Sequence, residues 1–395
     1  MLPRRVLTLH FTRSLFLVAL AHLTLELCAN FLPIVYPILI SQQGLSYTQV
    51  GFITLVLGIS SSLTQPLFGY LSDRWGTHQM IVLSIIWIGV LMGLTGFATN
   101  YLLLILMVGL AALGSAAFHP AGAALASANA GPRRGAGISI FSVGGNLGSA
   151  LSPLWVALGL SWLGLRGTVI LIPVALLTSL FLYRQFRREI DPKDNQLMIS
   201  QKQSTGEEGW LMGLILIIIA VMCRSWFQVA LTTYLPEWMQ SQGQSLTIGG
   251  QVLSLFLISL SIGSLIGGTL SDYIGRWQVL ALSVGLLAPA QWFFLNTTGL
   301  AQMSLIGTMG VLIGLSFPVA IVMAQEVWPR GIGLASALVL GLGWAPGGIG
   351  ASFTGIVADQ FSLATGLWLL MSPPLLGVIC VLIYAGLQQR LSGNG

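Results

Sequence analysis

Glu26 and Arg224 are ionisable residues set deep inside long apolar runs, each 13 residues from the nearest other charged side chain, Arg13 and Glu237 respectively. His22, Glu26 and Asn30 recur every four residues, as do Arg224, Gln228 and Thr232. On a helix either spacing draws one polar stripe. A carboxylate beside an imidazole can take up and release a proton. A guanidinium can hold an anion through two parallel hydrogen bonds. His119, between Phe118 and Pro120, reads in two ways. It is either a second proton-exchanging group, or the partner of a backbone carbonyl that the proline leaves free.

The elements that must position these groups are membrane helices. Of 395 residues, 55% are hydrophobic and 7% are charged, against about 25% charged in an ordinary soluble protein. A soluble enzyme, a nucleic-acid binder and a disordered chain are excluded. Twelve apolar stretches, from 14–40 to 363–387, are each long enough to cross roughly 30 Å of hydrocarbon, which takes about 20 residues. Met1 to Ala21 belongs to the first of them rather than to a cleaved signal, because the apolar run continues to Ile40. The three cysteines all lie within spans, so no disulfide framework is expected. The predicted fold is all-α, with twelve transmembrane helices.

With the N-terminus inside, every Lys and Arg except Arg166 and Arg224 falls in a cytoplasmic loop or terminus. That bias predicts both termini in the cytoplasm and a place in the bacterial inner membrane. Glu26 lies 13 residues from Arg13 and 15 from Ser41, so at 1.5 Å per residue it is roughly 20 Å from either end, near the midplane. At that depth an ionisable group costs at least about 2.5–3.5 kcal/mol, and its default reading is functional.

A polar stretch at 187–209 separates two halves, an N-terminal bundle at 1–186 and a C-terminal bundle at 210–395. An offset of 199 residues aligns them: Pro37 falls on Pro236, Gly51 on Gly250 and Phe118 on Phe317. Gly69-Tyr-Leu-Ser-Asp73-Arg74-Trp-Gly76 falls on Gly268-Thr-Leu-Ser-Asp272-Tyr-Ile-Gly275. This is a parallel repeat of six helices, a layout in which two halves rock about a central site. The polar stripes of the first and seventh helices would then be opposite walls of one cavity. Glu26 would be a switchable proton site, its charge state set by whether Arg224 pairs with it or with substrate. A structural ion pair between the two is the alternative. Asn146, Trp226, Phe227 and Trp344 are further candidates for the cavity lining.

Two readings hold for the loop segments. Asp73 and Asp272 could cap helices of the opposite half near Gly331 and Gly135, with Arg74, Arg276, Glu326 and Arg330 adding pairs to a latch, or each could close a local turn. The glycines at 144, 145 and 148, and at 343, 347, 348 and 350, mark close helix packing.

The Gly-x-Leu-Ser-Asp-x-x-Gly segment, present in both halves, resembles the loop motif of the major facilitator superfamily. His22–Glu26, Leu45–Gly51, Ser61–Pro66, Phe118–Pro120, Ser139–Gly148, Arg224–Trp226 and Tyr234–Pro236 together resemble its fosmidomycin-resistance branch. The resemblance implies a proton-driven exporter of a small drug or metabolite, possessing no enzymatic activity. Uptake of an organic anion by symport and flipping of a lipid-linked substrate are the alternatives. His22, Glu26 and His119 would couple protons; Arg224, Gln228, Asn30, Asn146, Trp226, Phe227 and Trp344 would meet substrate. Ala121 follows Phe118-His119-Pro120 where relatives often carry an acid, and Thr77, His78 and Gln79 replace the basic end of the loop motif. No nucleotide loop, zinc spacing or nucleophile constellation is present, so no cofactor and no metal are expected beyond a proton gradient. The expected partners are a small molecule, protons and the lipid bilayer, with no nucleic acid, and the chain is expected to act as a monomer.

Overall fold

The computed structural model describes residues 13–129, 134–189, 210–328 and 332–393; most of the 187–209 segment therefore lies outside the described residues. In a bilayer every backbone N–H and C=O must be satisfied within the protein, and helices do this locally. The described residues form helices and no strand.

The first crossing is broken into α1 (Arg13–Ala29) and α2 (Leu32–Gln43). It is followed by α3 (Tyr47–Trp75), α4 (Thr77–Leu94), α5 (Tyr101–Ala128), α6 (Arg134–Leu163) and α7 (Leu171–Glu189). The second series is α8 (Trp210–Ser241), α9 (Leu246–Ile274), α10 (Arg276–Gly285) with α11 (Leu287–Asn296), α12 (Gly299–Val327), α13 (Ile332–Gln360), and α14 (Leu363–Leu369) with α15 (Ser372–Gly393). Among the described residues, 9 stretches are long and apolar enough to cross a membrane. One of them, 140–187, covers most of both α6 and α7, and α3 and α13 supply two further helices of 29 residues each. Twelve helical crossings result, as the apolar stretches predict.

The repeat is visible in the turns. Gly76 ends α3 with φ +95° and Gly275 ends α9 with φ +100°, a region that side chains other than glycine rarely adopt. Their N–H groups donate to Ser72 O and Ser271 O, both at 3.1 Å. Ser46 and Ser245, also 199 apart, cap α3 and α9 through their hydroxyls.

Within the first series, α1 packs on α6, with α4, α5 and α7 also against it; in the second, α8 packs on α9, α12, α13 and α15. Glycines set the closest approaches. A β carbon at Gly144 or Gly148 would collide with the main chain of Ala19 or Leu23 on α1. Gly263 and Gly267 on α9 meet the backbone of α12 at Val311 and Leu315 in the same way. Such approaches replace the hydrophobic drive that lipid does not supply between helices. Across the two series, α3 packs on α13, α6 on α9, and α2 on α8.

Candidate functional site

Helix α1 places His22 and Glu26 one turn apart, and α5 brings His119 to the same point. Glu26 Oε1 lies 3.5 Å from His22 Nε2 and 3.4 Å from His119 Nε2. The other carboxylate oxygen, Oε2, accepts from Asn30 Nδ2 and from Ser149 Oγ on α6 at 3.4 Å. Asn30 sits at the break between α1 and α2, and its amide also donates to Ser149 Oγ at 3.1 Å. His22 Nδ1 lies 2.8 Å from the carbonyl of Phe141. A carbonyl only accepts, which assigns the proton to Nδ1 and turns Nε2 towards the carboxylate. The ring stacks on Phe141 at 4.0 Å and fits only because residue 145 has no side chain: a β carbon there would overlap the ring. His119 Nε2 has Ser115 Oγ at 3.1 Å. Two imidazole nitrogens and a carboxylate oxygen thus converge.

Arg224 on α8 is buried, at 5% exposure. Nη1 donates to Ile313 O at 3.3 Å, and the guanidinium carbon lies 5.5 Å from the centre of the Phe317 ring one turn further along α12. Its Nε has no hydrogen-bond partner among the described residues. The direct ion pair with Glu26, which the sequence left open as an alternative, is not formed among the described residues. Glu26 lies against His22 and His119, and the guanidinium is turned to α12. Helix α5 packs on α1 within the same half and carries His119 to the carboxylate.

Other expected site residues divide. Gln228 is buried and Asn146 half-buried. Asn30, expected at substrate, is committed to the Glu26 carboxylate. Phe227, expected on a cavity wall, is fully buried at 0% exposure; it belongs to the core. Trp226 packs on α13, donating through Nε1 to Thr354 Oγ1 at 3.0 Å in the space left by Gly350. Asp272 pairs with Arg276 at 3.3 Å, and Arg276 Nε donates to Glu326 at 2.6 Å. These pairs join α9, α10 and α12 within one half. Gly69, Asp73, Arg74, Arg330 and Trp344, with the latch positions Gly135 and Gly331, lie outside the residues whose side chains are described.

Residues not expected at the site are Ser115, Ser149 and the Phe141 carbonyl. Ser115 stands four residues before His119 and carried a helical signal; Ser149 and Phe141 are brought in only by packing. A separate clasp closes the end at which α3 begins and α13 finishes. Asp359 accepts from the N–H groups of Tyr47 at 2.7 Å and Thr48 at 2.8 Å, capping α3 from the other half. Thr54 meets Thr233 at 3.3 Å nearby. A cleft of about 590 Å³ lies at the same end of the second half, lined by Gln242, Gln251, Gln302 and Met303 among others, apart from Glu26 and Arg224.

A bundle of twelve apolar helices in two repeated series, with ionisable groups inside each, is the layout of a multi-pass membrane transporter. Residues 15–348 match the Major Facilitator Superfamily, and the chain belongs to that family. It is 28% identical over 375 residues to the fosmidomycin resistance protein of Escherichia coli (strain K12), covering 93% of this chain and 91% of that one. It is 29% identical to an uncharacterised transporter of the same type from Bacillus subtilis (strain 168), covering 95% and 94%. Among solved structures it resembles a bacterial homologue of the human lysosomal transporter Spinster, in an inward-facing and occupied conformation. That match has a TM-score of 0.78 at 18% identity and covers 95% of this chain and 96% of that one.

Proposed function

We propose that the chain exports a small anionic drug or metabolite in exchange for protons, by alternating access, in the bacterial inner membrane with both termini cytoplasmic. The observation that carries the coupling is the convergence of His22, Glu26 and His119 inside the first half. A proton held between the carboxylate and an imidazole nitrogen replaces a contact of two acceptors by a hydrogen bond, and its loss leaves the carboxylate facing the His22 Nε2 lone pair. Arg224, with an unpartnered Nε and one long bond to a carbonyl, supports an anion-binding role in the second half. Proton and substrate would then load opposite halves of the molecule and influence one another through the closing of the bundle rather than by exchanging a direct ion pair. Similarity to a relative named for fosmidomycin resistance supports export. With the orientation that the basic loops suggest, the clasp of Asp359 on α3 would lie at the outer side of the membrane.

The test is transport by the purified protein in vesicles with an imposed pH gradient, screening phosphonates, organic acids and amphiphilic drugs. Accumulation on the proton-rich side is the expected result. Accumulation in the direction of proton flow would replace export with symport. Uphill transport at the normal rate by Glu26→Gln would remove this cluster as the coupling site.

A further inference from the structure

The ligating atoms of His22, Glu26 and His119 all lie within 4.8 Å of one another, and the two histidine–glutamate separations match a more specific geometry than a hydrogen bond. Good N–H···O bonds are about 2.7–3.2 Å long, whereas Glu26 Oε1 stands 3.5 Å and 3.4 Å from the two Nε2 atoms. Nitrogen and oxygen ligands at about 2.0–2.15 Å from a tetrahedral ion are about 3.3–3.5 Å from each other, the edge of the tetrahedron. The two histidine–glutamate distances are edges of that size.

The surroundings also fit. A metal-bound histidine usually donates its other ring N–H to a carbonyl or carboxylate, which fixes ring and tautomer. His22 does so, from Nδ1 to Phe141 O at 2.8 Å, while stacked on Phe141 and backed by Gly145. Glu26 presents Oε1 alone, because Oε2 is held by Asn30 and Ser149. The His119 side chain is the most open of the three, 30% exposed against 11% for His22 and 15% for Glu26. The fourth coordination position therefore opens on the His119 side, where Ser115 Oγ stands 3.1 Å from Nε2.

We propose that His22 Nε2, His119 Nε2 and Glu26 Oε1 form a binding site for a divalent transition metal ion of the zinc type, with the fourth position left to water or an anion. Imidazole ligands favour zinc and its neighbours in the series over magnesium or calcium, which take oxygen ligands. The proposal builds on the coupling reading only in that metal and proton exclude one another at the same three atoms. A zinc ion bound there stands in for the proton and blocks transport.

The probe is Co2+ followed by Zn2+, added to the full chain purified without a polyhistidine tag. One Co2+ per chain with the intense visible absorption of a tetrahedral site, displaced by Zn2+ and unaffected by excess Mg2+, is expected. His119→Ala and Glu26→Gln should abolish that spectrum. Asn30→Ala, which frees Oε2, should weaken Zn2+ binding about tenfold, and His78→Ala should leave it unchanged. If His119→Ala does not fold, judged by its thermal unfolding, His119→Gln serves in its place. Equal binding by the folded variants, or an octahedral spectrum insensitive to them, overturns the site. Absent Zn2+ binding alongside lost proton coupling in Glu26→Gln overturns the metal site and leaves the coupling reading standing. Zn2+ binding by the unaltered protein alongside normal coupling in Glu26→Gln supports the metal site and removes the coupling reading.

Discussion

The hydroxyl of Tyr234, on α8, donates to the main-chain carbonyl of Tyr47 in the first turn of α3, 2.9 Å away. The Ala351 carbonyl of α13 stands at the same distance, so one phenol ties three helices of two halves. Asp359 caps the same turn of α3 through two amides. Hydrogen bonds to a charged group contribute about 1.5–3 kcal/mol. Asp359→Asn should therefore raise the population open at this end about tenfold or more. Spin labels on the exposed residues Gln43 and Phe361 would read this as a longer distance. An unchanged distribution would mean that the clasp supplies no closing energy.

Gly51 tests the same closure by volume. A β carbon at this position would stand 2.7 Å from both Ser352 Cα on α13 and the Tyr234 hydroxyl on α8, contacts that exist only while α3 lies against the second half. Gly51→Val should hold this end open and slow transport at least tenfold, while the unfolding midpoint changes little. The same label pair and a thermal melt separate this from misfolding; a large drop in the midpoint would place the residue in permanent packing instead.

Gly145 and Gly148 lie one turn apart on α6 and predict different losses. At Gly148 an added methyl meets the Leu23 main chain of α1, which cannot move aside, and overpacking of this kind costs about 1–3 kcal/mol. At Gly145 it meets the His22 ring, which can swing off the Phe141 carbonyl. Gly148→Ala should lower thermal stability. Gly145→Ala should lower transport and Zn2+ binding with a smaller stability loss. Identical melts and identical transport in the two would contradict the assigned packing.

These glycines also show what could be read from sequence. The loop glycines Gly76 and Gly275 announced themselves by recurring at one offset beside an aspartate, and each ends a helix at positive φ. Crossings, repeat and midplane charges follow from local pattern, because lipid leaves so few polar residues that each one is conspicuous. Partnership did not follow. Glu26 and Arg224 looked like one another's counter-ions because they are opposite in sign and similar in depth. Depth along a helix is local, but the side facing a neighbour depends on how α1, α5 and α6 rotate against each other. That rotation is set by contacts more than a hundred residues apart, such as His22 with Phe141 and Asn30 with Ser149. Asp359 carried no sequence signal at all, since a carboxylate at a helix end reads as an ordinary surface group until α3 arrives beneath it.

Arg224 offers the sharpest separation of structure from function. A buried charge without a carboxylate partner among the described residues is a net expense to folding, offset here by a carbonyl and the face of Phe317. If the guanidinium exists to hold an anionic substrate, an unbranched apolar side chain of similar length should relieve that strain. Arg224→Met should then melt at the same temperature or higher than the unaltered protein and lose binding of anionic substrates at least a hundredfold. Arg224→Lys keeps the charge but not the planar fork, and should fall between the two in binding. Substrate-induced shifts in the unfolding midpoint measure both quantities in one titration. A lower midpoint for Arg224→Met with substrate affinity retained would make Arg224 a packing residue of α8 and α12 and withdraw it from the substrate site.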